Sequence, residues 1–361
     1  MSTVWGSNIK ITIFGESHSS AIGVVIDNLP AGIPLDMVEI QREMARRAPN
    51  GGEYSTPRRE ADEVEIVSGY FNDKTTGTPL CGIIRNTNTK SSDYDALKDL
   101  VRPGHSDFGY YHKSGGNNDY RGGGHSSGRL TAPLVFAGAV CKQMLRQKDV
   151  FIGSHISSIG NIKDSKFDAR VEGNMLENLT RQVFPLVDSG KFVAMDYLIK
   201  EARSEGDSVG GTIECAIVGV PAGVGEPFFE SVESKIASLL FSVPAVKAVE
   251  FGKGYELTKM KGSEANDPFR CLGGRVFTAT NNNGGILGGL STGMPIIFDA
   301  AIKPTASIFK QQDTINVITG ENVKLNLKGR HDSCIVVRAV PVIEAVAAIA
   351  IYDLLRYRED L

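Results

Sequence analysis

The segment SCIVVRAVPVIEAVAAIAIYDLLRY, residues 333–357, constrains the fold more than any other. From about Pro341 to Leu355 it reads as a helix that is apolar nearly all round, and such a helix must be covered on more than one side. The cover has to come from the rest of a 361-residue chain, 41% apolar and 22% charged. That length supports one large core or two modest ones. With no repeat, low-complexity tract or clear linker, a single domain over residues 1–361 is preferred.

Charge and cysteine usage exclude several classes. The net charge of −3 gives no global pull towards nucleic acid or an anionic membrane, so any anion must be recognised by a local arginine cluster. No apolar run approaches the roughly 20 residues of a bilayer span. The N-terminus MSTVWGSNIK lacks a signal peptide's basic and apolar regions, which predicts a cytoplasmic protein. The five cysteines are widely spaced without a CxxC pair, arguing against disulfides and against a metal site.

Ile9, Ile11 and Ile13 alternate with Lys10, Thr12 and Phe14 as in a strand, which runs into Gly15-Glu-Ser-His-Ser19. A hydrolase elbow would need glycine at position 19, so a serine hydrolase is disfavoured. His18 is either a proton donor to a bound group or a histidine tied into a turn. After a second strand around Ile22 to Ile26 comes a helix with Asp36 as N-cap, Glu39 completing a capping box, and Leu35 stapled to Ile40. Arg42, Arg46, Arg47, Arg58 and Arg59 gather around the loop APNGGEYSTP, a pattern that suits a phosphate or carboxylate. Further strands are expected at Val64 to Ser68 and Leu80 to Arg85.

The stretch Arg102 to Arg129, RPGHSDFGYYHKSGGNNDYRGGGHSSGR, offers little to a core. It holds three of the six histidines, three arginines and a run of three glycines. That composition fits a flexible surface loop or a backbone wrapped around an oxygen-rich anion. A helix from Leu130 to Gln147, with Thr131 as cap, would place Ser126 to Arg129 at a helix N-terminus. Residues 150–200 read as mixed helix and loop, with His155 structural. Strands follow over TIECAIVGV and Ala245 to Phe251, with a helix near Ser231 to Phe241. Asn281 to Gly289 is either a structural turn or a backbone laid against a flat ligand. Lys303 to Ser307 adds a cation and two hydroxyls.

Taken together, these segments resemble chorismate synthase across nearly the whole chain. The likeness rests on Gly15-Glu-Ser-His18 with AIGVVID, on RGGGHSSGR at 121–129, and on Arg330-His-Asp332 followed by RAVPVIEA. RPGH at 102–105, EGDSVGG at 205–211, VPAGVGEP at 220–227, GGILGG at 284–289 and KPTAS at 303–307 fit in the same order. The resemblance implies an α+β fold, a β-α-β sandwich with helices between antiparallel sheets, in a homotetramer. It also implies a reaction: 1,4-anti elimination of phosphate from 5-enolpyruvylshikimate-3-phosphate, giving chorismate and needing reduced FMN without net redox change.

The family's roles carry over residue by residue. His18 would protonate the departing phosphate, His105 would tune flavin protonation, and Asp332 would relay a proton from the flavin. The substrate's phosphate and carboxylates would meet Arg46, Arg47, Arg102, Arg129 and Arg330. FMN would contact His125, Ser126, Ser127, Ala245, Gly288, Lys303, Pro304, Thr305, Ala306, Ser307 and Arg330. Some members reduce the flavin themselves with NADPH; this compact chain looks more like those that use an external reductant.

The chain also departs from the family's pattern. His125 stands for a usual arginine, Gly128 for alanine, Leu130 for glutamate, Glu53 for arginine, Pro244 for asparagine and Ser19 for glycine. Replacing a permanent charge by an imidazole predicts FMN binding that weakens between about pH 6 and 8. The same substitutions motivate an alternative, a non-catalytic flavin- or anion-binding paralogue on this scaffold.

Overall fold

The computed structural model describes residues 3–49, 60–87, 98–327 and 331–359. Two antiparallel sheets of five strands enclose a layer of helices. The first runs in the order Val4–Trp5, Lys10–Gly15, Ala21–Asp27, Leu80–Arg85, Glu65–Ser68. The second runs Val246–Phe251, Ile296–Ile302, Gly211–Val218, Phe151–Ile159, Ile162–Lys163. This is the α+β sandwich expected.

Between the sheets, helix Thr131–Arg146 lies on the first sheet and helix Val336–Glu359 on the second, and the two pack against each other. They cross closely at Gly138, where a β-carbon would lie 2.3 Å from that of Ala345. Helices Met37–Arg47 and Val232–Leu240 flank the C-terminal helix. Its residues Val342 to Ile351 are at most 2% exposed. Each large apolar side chain so buried contributes about 1.5–3 kcal/mol, which makes this helix the centre of the core. It starts five residues before Pro341, because a proline early in a helix removes only one rung of its hydrogen bonding. Among the described residues no helix is long and apolar enough to cross a membrane.

Several local expectations need correction. Asp36 caps its helix by accepting from the backbone N–H groups of Val38 and Glu39. No capping box forms, because the Asp36 N–H donates to Gln143 Oε1 and the Glu39 carboxylate pairs with Arg42. Thr131 is not the helix cap: its hydroxyl donates to Gly128 O and accepts from Arg47 Nε. Residues 150–200 contain a nine-residue strand, Phe151–Ile159, whose serines and histidine hide the alternation of a buried strand. Residues 281–285 form a turn in which Asp267 accepts from the backbone of Asn282 and Asn283.

Candidate active site

A cleft of about 1140 Å³ opens between strand Lys10–Gly15, the 102–131 segment, residues 241–247, residues 303–307 and the start of the C-terminal helix. Its wall carries Arg47, Arg102, Arg129, Arg338, Lys247 and Lys303 against Glu60 and Asp332. That excess of cations suits a polyanionic ligand.

The glycine run sets the geometry of the 102–131 segment. Gly122, Gly123 and Gly124 have φ of +62°, +89° and +53°, in the left-handed region that side chains disfavour. A β-carbon on Gly122 would stand 2.5 Å from Ser17 Oγ and 2.6 Å from the His18 ring. One on Gly123 would stand 2.9 Å from the His105 ring. The turn therefore packs its bare backbone against both imidazoles. Ser17 and Gly122 line the cleft, and His18 is buried behind them. Asp119 accepts from Arg121 Nε at 2.8 Å, and that hydrogen bond holds its carboxyl below the usual range.

Each cleft arginine is braced by a carboxylate or carbonyl. Arg47 donates to Asp62 at 2.7 Å, to Thr131 at 3.0 Å and to Gly128 O at 2.8 Å. Arg129 donates to Asp62 and to Asn86 Oδ1. Burial alone would raise the Asp62 carboxyl, but the Arg47 and Arg129 charges outweigh it and hold the group below the usual range. Burial pulls Arg47 down to about 10, with Arg338 and Arg129 adding to the effect. Arg102 grips Asp107 through Nε and Nη2 at 2.7 and 2.8 Å. Arg338 donates to Asp332 Oδ2 at 2.7 Å and to the carbonyl of Arg47 at 3.1 Å.

The flavin-assigned residues largely converge on this cleft. His125, Ser126, Ser127, Ala245 and Lys303 to Ser307 all line it. The Ser126 and Thr305 hydroxyl oxygens are buried without a hydrogen-bond partner among the described residues. Buried polar atoms are almost always paired, so two orphan hydroxyls in one cleft fit a phosphate-bearing ligand. Ala245 holds φ at +75°, and its carbonyl accepts from Lys303 N. Such strain in a non-glycine residue gathers at functional sites. Burial, then the charge of Lys247, lowers the Lys303 ammonium from its ordinary value.

Two assigned residues, Arg46 and Gly288, are not among those that line the cleft. Arg46 turns into the helix layer, where it meets Glu344 at 2.6 and 2.9 Å and Glu43 at 3.0 Å, with Lys142 bridging the same two acids. An acid within the apolar C-terminal helix needs a buried counter-ion, and Arg46, on the facing helix, supplies it. Gly288 sits in the exposed turn between Ile286–Leu287 and Leu290–Ser291, away from the cleft wall. Arg330, like Arg58, Arg59 and Glu53, lies outside the described residues. Sequence reasoning passed over Asp62, Asp107 and Arg338. Arg338 lies within the RAVPVIEA match and Asp107 two residues after His105, but nothing local marks Asp62.

Comparison with known proteins decides the family. A sequence model described as chorismate synthase matches residues 9–355. The chain belongs to the chorismate synthase family. It is 45% identical to the chorismate synthase of Methanosarcina barkeri, covering 97% of this chain and 95% of that protein. It is also 45% identical to that of Thermococcus kodakarensis, covering 98% of both. A solved structure titled "Crystal Structure of Chorismate Synthase" superposes with a TM-score of 0.77 at 27% identity, covering 98% of this chain and 93% of the other. Chorismate synthase membership makes this chain a lyase of aromatic biosynthesis that forms chorismate from a small-molecule substrate.

Proposed function

We propose that the cleft takes 5-enolpyruvylshikimate-3-phosphate together with reduced FMN and catalyses 1,4-anti elimination of phosphate, a carbon–oxygen lyase reaction without net redox change. One observation carries this reading: a single cleft gathers four braced arginines, His105, Asp332 and two buried hydroxyls without a hydrogen-bond partner among the described residues. The substrate has one phosphate and two carboxylates, and forked guanidinium groups match such groups in pairs.

In this reading Arg47, Arg102, Arg129 and Arg338 hold the substrate's anionic groups. Their carboxylate braces fix each guanidinium before binding, so little orientational freedom is lost on association. The Ser126 and Thr305 hydroxyls, with Ser127, Lys303 and His125, hold FMN. When bound, reduced FMN supplies an electron-rich ring that offsets the weak acidity of the substrate's C–H. His18, behind Gly122, donates the proton that neutralises the departing phosphate. Asp332, oriented by Arg338, is the cleft's proton acceptor. Burying the reacting groups under the glycine turn keeps water out and strengthens each of these interactions.

Residues 1–361 act as one domain, in a homotetramer in the cytoplasm, with flavin reduction supplied by an external reductant. The test is anaerobic phosphate release with chemically reduced FMN, run beside a reaction given oxidised FMN and NADPH. The proposal expects turnover in the first alone. Turnover with NADPH alone would overturn the external-reductant reading, and none in either would overturn the cofactor assignment.

A further inference from the structure

The contacts of His105 single out Asp107, a residue without a role so far. Nδ1 of His105 lies 2.6 Å from Asp107 Oδ1 and 3.2 Å from Arg102 Nη2. The carboxylate and the guanidinium make opposite demands on that nitrogen, while its third neighbour, Ser106 Oγ at 3.5 Å, can meet either. A carboxylate only accepts, so it needs Nδ1 protonated, whereas a guanidinium only donates. The shorter, charge-assisted contact governs, and Nδ1 carries the proton. Arg102 has other calls on its donors, since Nε and Nη2 both reach the same carboxylate.

We infer that Asp107 is a positioning residue for the elimination: it fixes His105 as the Nδ1-protonated tautomer and anchors Arg102 with the same carboxylate. This rests on the chorismate synthase reading of the cleft. Nε2 is then the nitrogen left for proton exchange with a bound ligand. The backbone supports this assignment, because a β-carbon on Gly123 would stand 3.1 Å from Nε2. Glycine at that position leaves the Nε2 edge of the ring unblocked. Asp107 opens the helix Asp107–Ser114, where the macrodipole also favours a carboxylate. Its backbone contact is equally specific, since Oδ2 accepts the Arg102 N–H at 3.1 Å.

The carboxylate stays ionised for this task. Burial would raise it, but hydrogen bonds from Arg102 and His105 hold it well below the usual range. Lys303 also lies near this segment, its Nζ donating to the carbonyl of Gly104 at 3.0 Å. Removing the Asp107 charge weakens the acceptor that holds the proton on Nδ1 and leaves the Arg102 donor facing that nitrogen.

Asp107→Asn keeps the shape and removes the charge, so it separates positioning from packing. In protein labelled with 15N-histidine, the His105 signals, identified by their loss in His105→Gln, should report a proton on Nδ1 in the wild type. In Asp107→Asn that proton should move to Nε2 in a substantial fraction of molecules. The kcat should fall by about 10- to 100-fold. An unprotonated Nδ1 in the wild-type spectrum overturns the inference even if the variant does not fold. A variant with the wild-type tautomer and the wild-type kcat overturns it too. The NMR readout needs no turnover, so failure of the proposed reaction would be seen separately, as a protein with the expected tautomer and no phosphate release.

Discussion

Nδ1 of His125 lies 2.7 Å from the carbonyl oxygen of Gly15. A carbonyl only accepts, so Nδ1 carries the proton and Nε2 is the ring's remaining nitrogen. On a neutral ring Nε2 repels an anionic ligand; on a protonated ring it donates a charged hydrogen bond. The imidazole offers no permanent charge there, so His125→Arg should tighten FMN binding roughly tenfold. Anaerobic fluorescence titrations of FMN on the two proteins check this, and equal dissociation constants would remove the charge role of this position.

Gly122 and Gly123 keep two imidazoles where a side chain would displace them. Gly122→Ala presses on Ser17 and His18, while Gly123→Ala presses on His105, and each carries backbone strain of about 1–3 kcal/mol. Both variants should lower turnover more than tenfold, a typical size for a misplaced proton-transfer group. Gly128→Ala meets no atom within 4 Å and has no positive φ, so its melting temperature should match or exceed the wild type. Thermal melts and kcat measured on all three variants make the comparison.

Arg46 belongs to stability rather than to the substrate. Arg46→Ala leaves Glu344 with Lys142, and Glu43 with Lys142 and the longer Arg42 contact at 3.6 Å. Breaking such a buried network costs about 3–5 kcal/mol. The variant should melt well below the wild type while the folded fraction keeps its KM. A raised KM at unchanged stability would return Arg46 to the substrate site.

His155 predicts an alkaline loss of stability. Its ring is fully buried, with Nδ1 2.9 Å from Asp164 and Nε2 2.8 Å from Glu214. Burial would lower its pKa, but the hydrogen bonds and charges of both acids raise it. A group with a raised folded pKa contributes fully below its unfolded value, about 6.5. That contribution is lost as pH rises through the folded value. The wild-type melting temperature should fall relative to that of His155→Gln as pH rises from 6 to 9. Parallel curves would mean that the ring is neutral throughout.

The sequence made the layers of this fold legible, because the all-round apolar helix demanded two covers and the strands that supply them alternate clearly. It hid the strand Phe151–Ile159, whose outer face buries His155 and Ser157 under a second small cluster around Phe167 and Leu176. Polar residues on a fully buried strand look like loop. In the site, the motifs located the histidines and hydroxyls, but not the acids that hold them. Asp62 pairs with Arg47, 15 residues before it, and with Arg129, 67 residues after it, a separation that no local pattern can report. Arg46 misled for a related reason: adjacent helical residues point about 100° apart, so Arg47 reaches the cleft while its neighbour faces Glu344.

The central claim is that this cleft performs the elimination with reduced FMN. Its most direct test is to incubate the protein anaerobically with 5-enolpyruvylshikimate-3-phosphate and catalytic reduced FMN, and to quantify chorismate and phosphate together. Equimolar chorismate and phosphate, with many turnovers per flavin and no net flavin oxidation, is the predicted result. Substrate and flavin both bound with neither product formed, or flavin consumed in step with product, would contradict it.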